Sequence, residues 1–110
     1  MDKNHALDAF AALSQATRLD VFRLLINAGD AGLPAGDISH TLGVRQNTMS
    51  TNLSVLARAG LIRSEREGRS IRYFADMDGM RGLLAFLMED CCGGRPELCQ
   101  PVLNELACPC

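Results

Sequence analysis

The chain has 110 residues, 47% of them hydrophobic, and a formal net charge of −2. That length predicts one small domain, and that hydrophobic content excludes wholesale disorder. No apolar run approaches the roughly 18 residues of a membrane span, and Met1-Asp2-Lys3-Asn4-His5 lacks the basic flank and apolar stretch of a secretory signal, so the cytoplasm is the expected compartment.

The first predicted helix covers residues 4–14, with Leu7, Phe10 and Ala11 at the i, i+3, i+4 spacing of one buried face. Thr17 and Asp20 form a Thr-x-x-Asp box that opens a second helix. This helix presents Leu19, Phe22, Leu25 and Ile26 to the core and ends near Ala28-Gly29. Pro34 suits the first turn of a third helix, whose Ile38 and Leu42 face inward before Gly43 stops it. A fourth helix over residues 46–59 turns Met49, Leu53 and Leu56 inward, and Gly60 follows it. Helix, glycine-containing turn and helix is the layout of a helix-turn-helix.

After Gly60 the apolar period changes. Residues 61–67 and 70–74 flank Gly68-Arg69 and predict a β-hairpin with a basic tip. Asp76 or Asp78 caps a last long helix, whose Met80, Leu83, Leu84, Leu87 and Met88 make a broad apolar stripe. Gly93-Gly94 should end it, and one short further turn is expected from Pro101 through Leu106. The domain reading is a winged helix-turn-helix over residues 1–92 and a cysteine-containing tail over residues 93–110.

Charge is distributed unevenly. Residues 45–73 hold six arginines (Arg45, Arg58, Arg63, Arg66, Arg69 and Arg72) against Glu65 and Glu67, while both flanks are acidic. A basic island in an acidic chain is an electrostatic footprint for phosphate. With Met49 and Leu53 inward, the fourth helix leaves Gln46, Asn47, Ser50 and Thr51 on its outer face. Gln and Asn can pair bidentately with adenine in a major groove, and Ser and Thr hydrogen-bond flexibly. Arg45 and Arg58 are candidate phosphate contacts, and Arg69 at the hairpin tip reaches for phosphate or the minor groove.

All five cysteines (Cys91, Cys92, Cys99, Cys108 and Cys110) fall in the last twenty residues. An adjacent pair, a short loop and a third thiol can gather three soft sulfurs around one soft ion. Three other uses stay open. Cys108 or Cys110 could complete a four-thiolate zinc site, a disulfide could act as a redox switch, or small apolar cysteines could fill an interface. Thiol catalysis is disfavoured by the lack of a Cys-x-x-Cys in a βαβ setting and of a histidine near the cluster. His5 and His40 read as surface or cap residues, and Met49, Met80 and Met88 as packing.

The segments Leu13-Ser14-Gln15-Ala16-Thr17-Arg18-Leu19, Asp37-Ile38-Ser39-His40-Thr41-Leu42-Gly43-Val44 and Ala59-Gly60-Leu61-Ile62-Arg63 through Arg66-Glu67-Gly68-Arg69 resemble the ArsR/SmtB metalloregulatory repressors. The resemblance implies a mainly α winged helix-turn-helix with a β-hairpin wing. It also implies a homodimer through the first and last long helices, with Leu7, Phe10, Leu83, Leu84, Leu87 and Met88 at the contact, bound to double-stranded operator DNA. Two family sites are absent: the third helix holds no cysteine, and the last lacks the Asp/His set of zinc sensors. Thr51-Asn52 also departs from the basic or histidine residues common there. Cys91-Cys92 followed by Cys99 is similar to the subgroup whose arsenite site sits at the end of the last helix. The resemblance thus implies a repressor released by trivalent arsenic, or antimony, on those three thiols. A zinc-, cadmium- or redox-responsive repressor is the alternative.

Overall fold

A computed structural model describes residues 1–89 and 95–106 of the chain. Helix α1 (Lys3–Leu13) is capped by the Asp2 carboxylate, which accepts from the His5 amide at 2.8 Å. Helix α2 (Ala16–Ala28) starts one residue before the expected box. Its cap is Gln15, whose side-chain oxygen accepts from the Arg18 amide, so the first-turn donor is satisfied without Thr17.

A 3-10 turn over Gly29–Ala31 leads into a two-residue strand, β1 (Leu33–Pro34), that the apolar pattern did not reveal. Pro34 is the residue before helix α3 (Ala35–Leu42) rather than part of its first turn. Gly43 ends α3 at φ 65°, a left-handed conformation that glycine adopts without steric cost. Helix α4 (Gln46–Arg58) follows, then β2 (Ile62–Glu67) and β3 (Ser70–Ala75). The antiparallel sheet runs β1-β3-β2, with Ile62 opposite Ala75 and Glu67 opposite Ser70, so Gly68-Arg69 form the tip as expected. Asp76 caps α5 (Met77–Leu87) by accepting from the Gly79 amide.

The core joins Val21, Phe22 and Leu25 of α2 to Ile38 of α3, to Met49, Leu53 and Leu56 of α4, and to Leu61 and Ile62. Two helices turn differently from their apolar periodicity. On α1 the buried residues are Ala6, Ala9 and Ala12, while Leu7, Phe10 and Ala11 are exposed. Small alanines let α1 lie close against α2, α4 and α5, which leaves its bulkier apolar side outward. On α2, Leu19 and Ile26 are also exposed, because the buried stripe is centred on Val21 to Leu25. At 100° per residue Leu19 and Ile26 fall well round from that centre.

The tail departs furthest from expectation. Helix α5 ends at Leu87, with Met88 as its cap, rather than running to Gly93-Gly94. The single turn expected at residues 101–106 is a full helix, α6 (Pro96–Leu106), with Pro101 inside it. Among the described residues, no helix is long and apolar enough to cross a membrane.

Candidate nucleic-acid interface

Helix α4 is held from behind by its buried Met49, Leu53 and Leu56. Gln46, Asn47, Ser50 and Thr51 therefore stand together in solvent on its other side, as the periodicity predicts. The Thr51 hydroxyl donates to the Asn47 carbonyl oxygen at 3.3 Å, and the Asn47 side-chain oxygen accepts from the Thr48 amide. Asn52 does not share this face. It is 6% exposed on the core side of α4, so the departure at that position concerns packing rather than base reading.

The structure divides the six arginines of the basic island. Arg63 lies 4.3 Å from the centre of the Phe74 ring and pairs with Glu65 at 3.0 Å. Arg72 pairs with Glu67 at 3.0 Å and donates to the carbonyl oxygen of Ala31, tying the wing to the turn after α2. These two serve the fold. Arg45, Arg58, Arg66 and Arg69 are exposed and make no ion pair among the described residues. Arg45 and Arg58 flank the recognition helix, and Arg69 sits at the wing tip. Arg66, on the wing one step from the tip, joins them as a phosphate candidate. Its place in the hairpin was readable from the sequence, but only the internal pairing of Arg63 and Arg72 sets it apart.

Expected effects follow from this division. Arg69→Ala should weaken binding to every duplex and lower the log–log salt slope by roughly 0.9 per lost contact in each subunit. Gln46→Ala should instead shift preference at one base pair by about 1–3 kcal/mol. Titrating selected and scrambled duplexes across salt concentrations checks both, and an unchanged slope for Arg69→Ala would remove the wing tip from the phosphate contacts.

Of the proposed thiol set, Cys99 is described, while Cys91, Cys92, Cys108 and Cys110 lie outside the described residues. Cys99 is 6% exposed, on α6, and is disulfide-bonded. Helical spacing puts it on the same side as Val102, Leu103 and Leu106, which are all exposed. Arg95, the cation nearest to Cys99 in the sequence, is engaged with a carboxylate. Its Nε donates to Glu97 at 2.8 Å and holds that carboxyl below the usual carboxylate range.

Of the dimer-contact residues, Leu7, Phe10, Leu84 and Leu87 are exposed and Met88 is half-buried. Leu83 is corrected: at 3% exposure it belongs to the subunit's own core. One turn of α5 cannot point Leu83 and Leu84 the same way, and the core takes the first. His5 has a structural place, its Nε2 lying 3.2 Å from the Ala59 carbonyl oxygen.

A family model described as a helix-turn-helix domain matches residues 13–65. The uncharacterised HTH-type transcriptional regulator YbzH of Bacillus subtilis is 31% identical, over 74% of this chain and 93% of its own length. A candidate arsenical resistance operon repressor of Halobacterium salinarum, ArsR2, is 36% identical over 74% of this chain and 66% of its own length. Among solved structures, an ArsR-like transcriptional regulator from Rhodococcus sp. RHA1 superposes with a TM-score of 0.70 at 25% identity, covering 97% of this chain and 96% of that one. A supported recognition helix, a hairpin wing beside it and these relatives agree: the chain belongs to the ArsR family of winged helix-turn-helix transcriptional regulators.

Proposed function

We propose that this protein is an arsenite-responsive transcriptional repressor, acting in the cytoplasm as a homodimer on double-stranded operator DNA. Trivalent arsenic, or antimony, taken up by Cys91, Cys92 and Cys99 is the signal for release. The observation that carries this reading is the setting of Cys99. It is a buried thiol position on a helix remote in sequence from the DNA-reading face, next to an uncovered apolar side. Soft thiolates suit a soft three-coordinate ion, and low exposure shields such a site from competing water. The candidate arsenical repressor ArsR2 of Halobacterium supports the same direction.

Release needs the ligand to favour one of two dimer states, and the coupling is reciprocal: DNA must weaken arsenite binding by the same factor. The exposed apolar residues of α1, α5 and α6 supply the surface whose packing such a ligand would alter. Between α5 and α6 lies an apolar groove of about 630 Å³, lined by Met80, Leu84, Leu87, Val102 and Leu103.

The disulfide at Cys99 favours a second reading, a repressor switched by thiol oxidation. The two readings compete for one sulfur, because arsenite binds the reduced thiolate only. In the reduced protein, Cys91→Ser, Cys92→Ser and Cys99→Ser should each keep operator binding and lose release by arsenite. Cys108→Ser and Cys110→Ser should change the response far less. Fluorescence anisotropy of the operator complex, titrated with arsenite under reductant and separately with a mild oxidant, reads both. Normal arsenite release from Cys99→Ser would sink the three-thiol site. Release by oxidant with no response to arsenite would establish the redox reading in its place.

A further inference from the structure

The guanidinium of Arg18 joins three helices. Its Nε donates to the Ala12 carbonyl oxygen at 2.7 Å, one terminal nitrogen lies 3.5 Å from the Ala11 carbonyl oxygen, and the other donates to Asn52 Oδ1 at 3.3 Å. Each part of this arrangement has a local cause. The Ala12 carbonyl oxygen lies in the last turn of α1, at the negative end of its dipole, which suits a cation. The Ala11 carbonyl oxygen beside it also accepts from the amide and hydroxyl of Ser14. Gln15 caps α2 and holds the Arg18 amide, so the side chain leaves from the first turn of α2 directly beside the end of α1.

Asn52 supplies the third corner. It is an amide on the core side of α4, in line with Met49, Leu53 and Leu56. A buried amide is costly unless hydrogen-bonded, and apolar packing alone lets a helix turn or slide a little against its neighbours. A directional bond to a planar fork does not. The link borders a cleft of about 350 Å³ between α1 and α4, where Asp8, Val55 and Arg58 complete the wall.

We infer that Arg18 and Asn52 are positioning residues for DNA recognition: their hydrogen bond fixes the rotation of α4 relative to α1, and so aims Gln46, Asn47, Ser50 and Thr51 into the groove. Both side chains are engaged within the subunit, so their part in recognition is indirect. Arg18 acts through Asn52, and Asn52 acts through the helix that carries it. Because α1 also presents Leu7 and Phe10 outward, the same bond ties the recognition helix to the helix that faces the proposed partner subunit. The inference rests on α4 being the DNA-reading helix.

The test uses the full chain and two DNA duplexes, one enriched by in vitro selection on the wild-type protein and one scrambled from it. Asn52→Leu removes the acceptor at similar volume, Asn52→Asp keeps it, and Arg18→Lys removes the planar fork while keeping the charge. For Asn52→Leu, the ratio of scrambled to selected dissociation constants should fall about tenfold, with affinity for the scrambled duplex unchanged. Asn52→Asp should restore the ratio to about twofold of wild type, and Arg18→Lys with Asn52→Leu should be no worse than either alone. A merely structural role would weaken binding to both duplexes in parallel, and that result, or an additive double variant, would overturn the inference. Arg18 is only half-buried, so Arg18→Lys keeps the test open should Asn52→Leu not fold. Failure of the wild type to enrich any duplex would remove the DNA-reading role of α4, and the positioning role with it.

Discussion

Leu84→Glu should convert the protein to a folded monomer with little operator affinity. In one subunit Leu84 is 37% exposed on α5, and Leu87, Leu7 and Phe10 are exposed on the same two helices. A small chain rarely leaves so many large apolar side chains in water unless another surface covers them. Burying a leucine is worth roughly 1.5–3 kcal/mol, and twofold symmetry counts each contact twice. A carboxylate at the same place would have to be desolvated without a partner, a cost of several kcal/mol. Operator affinity should fall with the dimer, since two recognition helices about one DNA turn apart are needed to read a palindrome. Sedimentation velocity with circular dichroism checks the result, and a dimeric Leu84→Glu that still binds would place the contact elsewhere. The neighbouring Leu83→Glu is expected to behave differently. Leu83 lies in the subunit's own core, so that substitution should unfold the chain rather than dissociate it.

Gly79→Ala should lower stability by about 2–3 kcal/mol, despite alanine being the better helix former. Gly79 sits in the first turn of α5, and a Cβ there would collide with the carbonyl oxygen of Gly60. That carbonyl belongs to backbone and cannot rotate aside as a side chain would. Asp76 holds the turn in place by accepting from the Gly79 amide, and its own amide donates to the Leu61 carbonyl oxygen at 2.8 Å. The start of α5 is thus pressed against the segment that leaves the recognition helix. A drop in Tm of roughly 10 °C or more, at fixed protein concentration, is the expected result. An unchanged Tm would mean that α5 can shift away from Gly60 at little cost. In that case the coupling between the outer helices and the recognition helix would be looser than the packing suggests.

Much of this protein could be read along the chain because its local signals agree with one another. Gly43 after Leu42 and the inward Met49, Leu53 and Leu56 specify the helix-turn-helix. Gly68-Arg69 between alternating strands specifies the wing. The outer face of α4 follows from the same period, since whatever packs inward leaves the remainder outward. The strand at Leu33–Pro34 was not legible, because two residues carry no periodicity and their pairing exists only once β3 is formed. Nor was the length of α6, whose Pro101 reads locally as a helix breaker.

What the amino-acid sequence determined by itself is the helix-turn-helix with its wing, the polar reading face and the confinement of the thiols to the tail. These follow from periods of 3.6 and 2, from turn residues and from counting. Only the tertiary structure decided which apolar faces are inside. Ala6, Ala9 and Ala12 rather than Leu7 and Phe10 face the core on α1, and Leu83 rather than Leu84 does so on α5. Periodicity shows that a helix has an apolar side, but how closely its neighbours approach decides which part of that side they cover. The same holds for the arginines. Arg63 and Arg72 are drawn into the fold by Phe74, Glu65 and Glu67, and Arg18 by the end of α1 and Asn52. A charge count cannot separate these from the arginines left for phosphate, because their partners are brought to them only by folding.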